Sequence, residues 1–269
     1  MQKVMKNKTK QKMLEDLSES SRQPRKDGKS IFFLDTRAVS DKVLYVKNRQ
    51  ACSIEAAEYV NNTPLADWFK SGKILTSRYY VYHMSDILRV LTLWRYTGTY
   101  LDGDVIVRKP ISNAGSNFAC IQKDGLINSA IFNFDYKLGR SIAEKIFARV
   151  IEKFNGNAWT GNGPQILSDL VKQMCNTTDS HQMNRVNCNG FDVLPQEDCF
   201  AIDYTEGNKK FFETSYLEEV LHRTKDSFAI HFWNFMTGGA KVSTRSNAPY
   251  IIFAREYCPK VYAASGESF

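Results

Sequence analysis

The chain has 269 residues, of which 43% are hydrophobic, 13% aromatic and 24% charged. That is the composition of a folded globular protein, and it excludes wholesale disorder, collagen-like repeats and low-complexity architecture. The net charge of +7 invites a nucleic-acid reading, but residues 1–29 hold nine Lys/Arg against four Asp/Glu, and the other 240 residues 27 against 25. The body of the chain is close to neutral, so no nucleic acid is expected as a partner.

Residues 1–29 are polar, charged and Ser-rich, and read as a basic tail, leaving one domain over residues 30–269. The first residues lead into more charge rather than into an apolar signal core. The longest apolar runs, such as Tyr250-Ile251-Ile252-Phe253-Ala254, fall far short of the roughly 20 residues that span a bilayer. A soluble chain without an export signal is the expectation. Order begins at Ile31-Phe32-Phe33-Leu34, a short buried-strand pattern, with a further strand at Val43–Val46 and a helix over Ala51–Tyr59. The clearest helix runs from Ser85 to Tyr96, with Ile87, Leu88, Val90, Leu91 and Trp94 at helical spacing, Ser85 as N-cap, Asp86 in its first turn and Gly98 as its stop. Strands are predicted at Val105–Val107, Phe118–Ile121, Ala130–Phe134 and Phe228–Phe232, and helices at Ser141–Phe154 and Pro164–Met174. Strands mixed with helices and no internal repeat indicate an α/β fold. The six cysteines form no C-x-x-C pair and no zinc spacing; disulfides are permitted but not required.

The chemistry concentrates in Tyr100-Leu101-Asp102-Gly103-Asp104-Val105. Two carboxylates flank a glycine at the edge of an apolar strand. Their oxygens are hard ligands suited to Mg²⁺ or Mn²⁺, ions that bridge to phosphate, and Gly103 removes a side chain where a ligand approaches. D-x-D alone is common in solvated loops, so the context carries the argument. The preceding helix presents Asp86 and Arg89 on one face beside its apolar stripe.

Ser85-Asp86-x-x-Arg89-x-x-x-Leu93-Trp94-x-Tyr96-x-Gly98-x-Tyr100-Leu101-Asp102-x-Asp104 resembles the donor-site block of the DXD-containing α1,4-glycosyltransferases. Four further blocks resemble that family in the same order: Ile31-Phe32-Phe33-Leu34-Asp35-Thr36, Thr63-Pro64-Leu65-Ala66-Asp67-Trp68, Gly161-x-Gly163-Pro164-Gln165 and Ala229-Ile230-His231-x-Trp233-Asn234. A short Tyr257-Cys258-Pro259 match closes the series. The resemblance implies a GT-A fold, a Rossmann-like sheet that binds a nucleotide sugar, and Mn²⁺ (or Mg²⁺) between protein and UDP diphosphate. It implies Asp104 as direct metal ligand, Asp102 as contact to ribose or metal-bound water, and His231 as a further ligand or phosphate donor. It also implies Asp86 and Arg89 on donor-sugar hydroxyls, Phe33 and Leu34 beside uracil, Asn128 near the reacting face, and Gln165 and Trp233 lining the donor site. His231 reads equally well as a hydrogen-bonded core histidine, and Trp159 either stacks on an acceptor sugar or belongs to the core. The implied reaction is retaining transfer of galactose or N-acetylgalactosamine from a UDP-sugar to a glycolipid or other glycan acceptor, in the Golgi, with membrane association through the acceptor or an anchor outside this sequence.

The chain departs from the family pattern in running from Glu55-Ala56-Ala57-Glu58-Tyr59-Val60 almost directly into Thr63-Pro64, which reads as a lost strand after the first helix. It also carries Thr97 where the family has the first of two glycines. The alternatives are a catalytically impaired splice form or sugar-binding member of the family and, more distantly, an aspartate-dependent phosphatase with its own D-x-D.

Overall fold

The computed structural model describes the backbone of residues 31–33 and, in full, residues 60 and 63–269. The tail, Leu34, the predicted strand Val43–Val46, the predicted helix Ala51–Tyr59 and the inferred strand loss lie outside the described residues. In chain order the elements are β1 (Ile31–Phe33), α1 (Ala66–Lys70), α2 (Tyr80–Tyr96), β2 (Gly98–Leu101), β3 (Val105–Val107), β4 (Phe118–Ile121) and β5 (Ile127–Phe134). There follow α3 (Leu138–Lys153), α4 (Pro164–Cys175), β6 (Asp192–Leu194), α5 (Gln196–Cys199), α6 (Gly207–Lys210) and α7 (Leu217–Thr224). The chain closes with β7 (Ala229–His231), α8 (Asn234–Thr237), α9 (Pro249–Tyr257) and α10 (Pro259–Ala264).

The expected α/β class is borne out. A five-stranded mixed sheet runs in the order β1-β2-β5-β4-β6, with β1 parallel to β2, β5 antiparallel to both its neighbours, and β6 parallel to β4. Side chains alternate across a strand, and the sheet uses both faces. Tyr100, Ala119, Ile121 and Phe132 join the core made by α2, α3 and α4, while Leu101, Phe118, Cys120 and Ile131 join a second core with β3, β7, α7 and α9. A two-stranded antiparallel ribbon, β3 with β7, lies at that second core.

Several predicted boundaries shift, and α3 begins at Leu138 rather than Ser141. The long helix begins at Tyr80, five residues before the predicted N-cap. Ser77 Oγ accepts the Tyr79 N–H at 2.9 Å, so the turn that starts the helix lies further upstream. Ser85 and Asp86 are therefore buried interior residues of α2 rather than its cap and first turn. Gly98 does not merely stop the helix: it opens β2, the strand that ends at the acidic pair. Finally, β5 starts at Ile127 rather than Ala130. Asn128 and Ser129 broke the apolar pattern there, but both side chains find partners: Asn128 Oδ1 accepts the Ala130 N–H at 2.6 Å and Ser129 Oγ accepts from Arg89 at 3.2 Å.

Candidate active site

Asp102 is the first residue beyond β2, and its N–H donates to the Ala130 carbonyl of β5 at 2.9 Å. The Val105 N–H then returns to the Asp102 carbonyl at 3.2 Å, closing a tight turn around the exposed Gly103. Pairing of Val105 with His231 across β3 and β7 sets the imidazole opposite the acidic turn. His231 Nε2 lies 3.1 Å from Asp104 Oδ1 and 3.9 Å from Asp102 Oδ2. The Asn234 N–H, at the start of α8, donates to Asp104 Oδ2 at 2.7 Å. Burial raises the proton affinity of Asp104, but the hydrogen bond and charge of His231 and the Asn234 N–H outweigh it and hold its pKa at about 2.

Asp102 is held from the other side. The Tyr100 hydroxyl donates to its Oδ1 at 2.7 Å, and Arg89 Nη1 lies 3.3 Å from the same oxygen. Arg89 is 8% exposed and fully engaged: Nη1 donates to the Ser129 carbonyl at 2.8 Å, Nη2 to Ser85 Oγ at 3.0 Å, and the guanidinium lies 4.8 Å from the Tyr100 ring centre. Asp86 faces Arg89 at 3.5 Å and accepts from Ser129 Oγ at 3.5 Å. Burial dominates at Asp86 and raises its pKa to about 6, Arg89 opposing and Asp102 reinforcing the shift. Gly163, at the start of α4, packs directly on that carboxylate: a Cβ there would sit 2.5 and 2.7 Å from the two Asp86 oxygens.

The structure thus brings Asp86, Arg89, Asp102, Asp104 and His231 into one continuous cluster. One carboxylate oxygen of each of Asp102 and Asp104 and one nitrogen of His231 lie within 4.8 Å of one another. Two carboxylates and an imidazole whose Nε2 faces them form a donor set that fits a hard or borderline divalent cation. Phe33 pairs with Leu101 across β1 and β2, so the first strand ends beside the strand that leads into the acidic turn.

The remaining candidate residues are distributed around this cluster. Trp233 does not close over the site. It is buried behind His231, ring centres 4.2 Å apart, with its indole N–H committed to the Ile202 carbonyl at 2.9 Å. Gln165 offers no free backbone donor, since its N–H bonds the Thr160 carbonyl at 3.1 Å and its side chain bonds Asp169 at 2.8 Å. Asn128 is tied to Gln122 and to the Ala130 N–H. Trp159 is 39% exposed and is not a core residue. Thr97 adopts φ 55°, a left-handed conformation that favours glycine. Ser129, Tyr100, Gly163 and Asn234 were not given roles from sequence. Tyr100, Gly163 and Asn234 stand inside the blocks that resemble the family, where position in a motif is the available signal.

β2 of the mixed sheet leads into an acidic pair, the β3–β7 ribbon brings an imidazole to it, and a buried Arg–Asp pair lies beside them, a donor set that fits a divalent cation. Residues 7–120 match the glycosyltransferase sugar-binding region containing the DXD motif, and residues 135–265 match the alpha 1,4-glycosyltransferase conserved region. The first match begins inside the stretch read as a tail. The chain is 28% identical over 217 residues to lactosylceramide 4-alpha-galactosyltransferase of Homo sapiens, covering 81% of this chain and 60% of the relative. It is 30% identical to the Rattus norvegicus enzyme of that name, covering 81% and 59%, and 25% identical to alpha-1,4-N-acetylglucosaminyltransferase of Homo sapiens, covering 78% and 59%. The chain is similar to the DXD-containing α1,4-glycosyltransferases, matching a region model of that kind in each half, and it spans about 60% of the length of these relatives. Both matched regions are glycosyltransferase regions, which supports the transferase reading over the aspartate phosphatase. Among the described residues no helix is long and apolar enough to cross a membrane.

Proposed function

We propose that this chain is a retaining glycosyltransferase of GT-A architecture that moves galactose or N-acetylgalactosamine from its UDP-sugar to a glycolipid acceptor in α1,4 linkage. In this reading Asp104, Asp102 and His231 hold Mn²⁺ or Mg²⁺. The observation that carries it is the convergence of His231, from a strand 127 residues downstream, on the acidic turn at 3.1 Å. The cation, when bound, supplies charge stabilisation to the departing diphosphate.

The chain's own residues do the remainder. Trp233 and Phe200 pack against His231 and orient its ring, while the Asn234 N–H and the Tyr100 hydroxyl fix the two carboxylates before the donor arrives. Asp86 and Arg89, a buried acid–base pair behind the acidic turn, hold Asp102 and Ser129 in place on the side where the donor sugar would lie. Preorganised polar groups in a site screened from water act more strongly than the same groups in solvent. Retention follows from departure and attack on one face, with a UDP oxygen taking the acceptor proton; a sugar trapped covalently on an Asp or Glu would refute that step. A glycolipid acceptor would be met at a membrane surface, and the resemblance to glycosphingolipid transferases supports a reading in which the protein acts in the Golgi.

The test is UDP release from UDP-galactose, UDP-N-acetylgalactosamine and UDP-N-acetylglucosamine with methyl β-lactoside as acceptor, with and without Mn²⁺. One donor should support Mn²⁺-dependent turnover, and Asp104→Ala should lower it at least a hundredfold. Unchanged turnover in Asp104→Ala sinks the metal-site reading, and UDP binding without turnover identifies a non-catalytic sugar-binding member instead.

A further inference from the structure

Beside the site stands an exposed aromatic cluster that the donor chemistry does not use. Tyr82, Trp159 and Phe235 are 38%, 39% and 65% exposed. Their rings meet: Trp159 lies 4.4 Å from Tyr82 and 4.9 Å from Phe235, and Tyr82 lies 5.5 Å from Phe235, centre to centre. Tyr79 closes the inner edge, 5.0 Å from Trp159. Solvent-exposed aromatic surface gathered in one patch marks a binding surface more often than an accident of composition.

Each ring comes from a different element, and each element also supplies a site residue within about one turn. Tyr82 precedes Ser85 and Asp86 on α2, Trp159 precedes Gly163, which packs on Asp86, and Phe235 follows Asn234, whose N–H holds Asp104. The patch is therefore continuous with the acidic turn. The loop carrying Trp159 is also fixed from beneath. The buried His83 sets Nε2 2.9 Å from the Ala158 carbonyl and Nδ1 2.7 Å from Ser77 Oγ. The Arg78 N–H bonds the Gly156 carbonyl at 3.0 Å, and the Asn162 amide bonds the Asn155 carbonyl at 2.8 Å. A platform held in advance loses little freedom on binding.

We infer that Trp159, Tyr82 and Phe235 form the stacking platform for the pyranose ring of the acceptor. This rests on the transferase reading above. The attacking hydroxyl must be delivered next to the donor, which is where the platform lies. Broad aromatic faces, negative at their centres, suit the polarised C–H face of a sugar ring, and an amphipathic Trp or Tyr serves a ligand that is apolar on one face and wet on the other.

Two measurements test it. In steady-state transfer to methyl β-lactoside, Trp159→Ala and Phe235→Ala should each raise the acceptor KM about five- to tenfold while the donor KM moves less than twofold. Trp159→Phe should recover most of the difference, and Leu75→Ala, at an exposed apolar residue of the 3₁₀ turn before α2, serves as the control. In saturation-transfer NMR without donor, methyl β-lactoside should show contacts from its sugar C–H protons that fall at least fivefold in Trp159→Ala. An acceptor KM and NMR contacts unchanged in both alanine variants, with melting curves like those of the unsubstituted protein, overturn the platform. A protein that neither transfers nor hydrolyses any donor defeats the transferase reading, and the NMR experiment still decides the platform.

Discussion

Asp86 is buried and Asp104 partly buried at one site, yet their surroundings push their proton affinities apart, and each makes a prediction of opposite sign. Asp104, held at about 2 by His231 and Asn234, is depressed below its ordinary value of 3.8. It contributes stability that is present above pH 4 and lost as pH falls through 2. Asp104→Asn should therefore cost about 2 kcal/mol at pH 7, a cost that shrinks as pH falls from 4 and vanishes only below the folded pKa. Asp86, raised by burial to about 6, keeps its proton in the folded state while the unfolded chain loses it near 3.8. Native stability falls from that group as pH rises from 4 to 6, and the full penalty stands above 6. Asp86→Asn should track the unsubstituted protein below pH 4 and then gain on it through the window, reaching about 2 to 3 kcal/mol by pH 7. Thermal melts of the three proteins across pH decide this. An Asp86→Asn difference that is flat with pH contradicts the assigned environment. The same substitution should abolish donor-sugar binding, so stability and function part company at this residue.

At the scale of elements, the start of α4 is fitted to α2 through Gly163 and Asp86. Gly163→Ala drives a methyl into a buried carboxylate that cannot leave Arg89 and Ser129 without cost. It should destabilise by about 1 to 3 kcal/mol, the usual range for overpacking. Paired with Asp86→Ser, which makes room, it should cost at least 1 kcal/mol less than the two single changes added together. Strict additivity in a denaturant-melt cycle removes the contact from consideration. Much at this scale was legible beforehand: α2, α3, α4 and β4 follow from apolar spacing, and Asp102, Asp104, Asp86 and Arg89 from local pattern. What failed was local pattern with a tertiary cause. Ser85 looks like a cap because serine so often is one, whereas its hydroxyl accepts from Arg89 inside the helix. The resemblance implies Trp233 lining the donor site, whereas a left-handed turn at φ 55° sends its side chain into the core behind the imidazole. The meeting of His231 with the acidic turn needs the pairing of β3 with β7, which no local period reveals; motif order pointed there without supplying the geometry.

At the scale of the molecule, the two cores on opposite faces of the sheet are each closed by a disulfide, a pairing that cysteine spacing left open. Cys175–Cys188 joins the end of α4 to the loop before β6 on the first core, across 13 residues. Cys120–Cys199 joins β4 to α5 on the second core, across 79 residues. Cross-linking restricts the unfolded chain more when the closed loop is longer, by about 3 kcal/mol for the short loop and about 4 kcal/mol for the long one. The long bridge also has a functional consequence the short one lacks. The second core contains Ile230, Phe232 and Trp233, the residues that flank or back His231, and α5 packs on β7 as well as on β4. Loosening α5 from β4 should therefore loosen the imidazole's support, whereas loosening the end of α4 should not reach it. Cys120→Ser/Cys199→Ser should lower stability by about 4 kcal/mol and weaken Mn²⁺-dependent turnover. Cys175→Ser/Cys188→Ser should lower stability by about 3 kcal/mol and leave the Mn²⁺ concentration for half-maximal activity within twofold. Measuring melting temperature and Mn²⁺ titration on both double variants separates the effects. Equal Mn²⁺ dependence in the two would mean that the second core does not support the metal site and that the bridge on β4 is purely a brace.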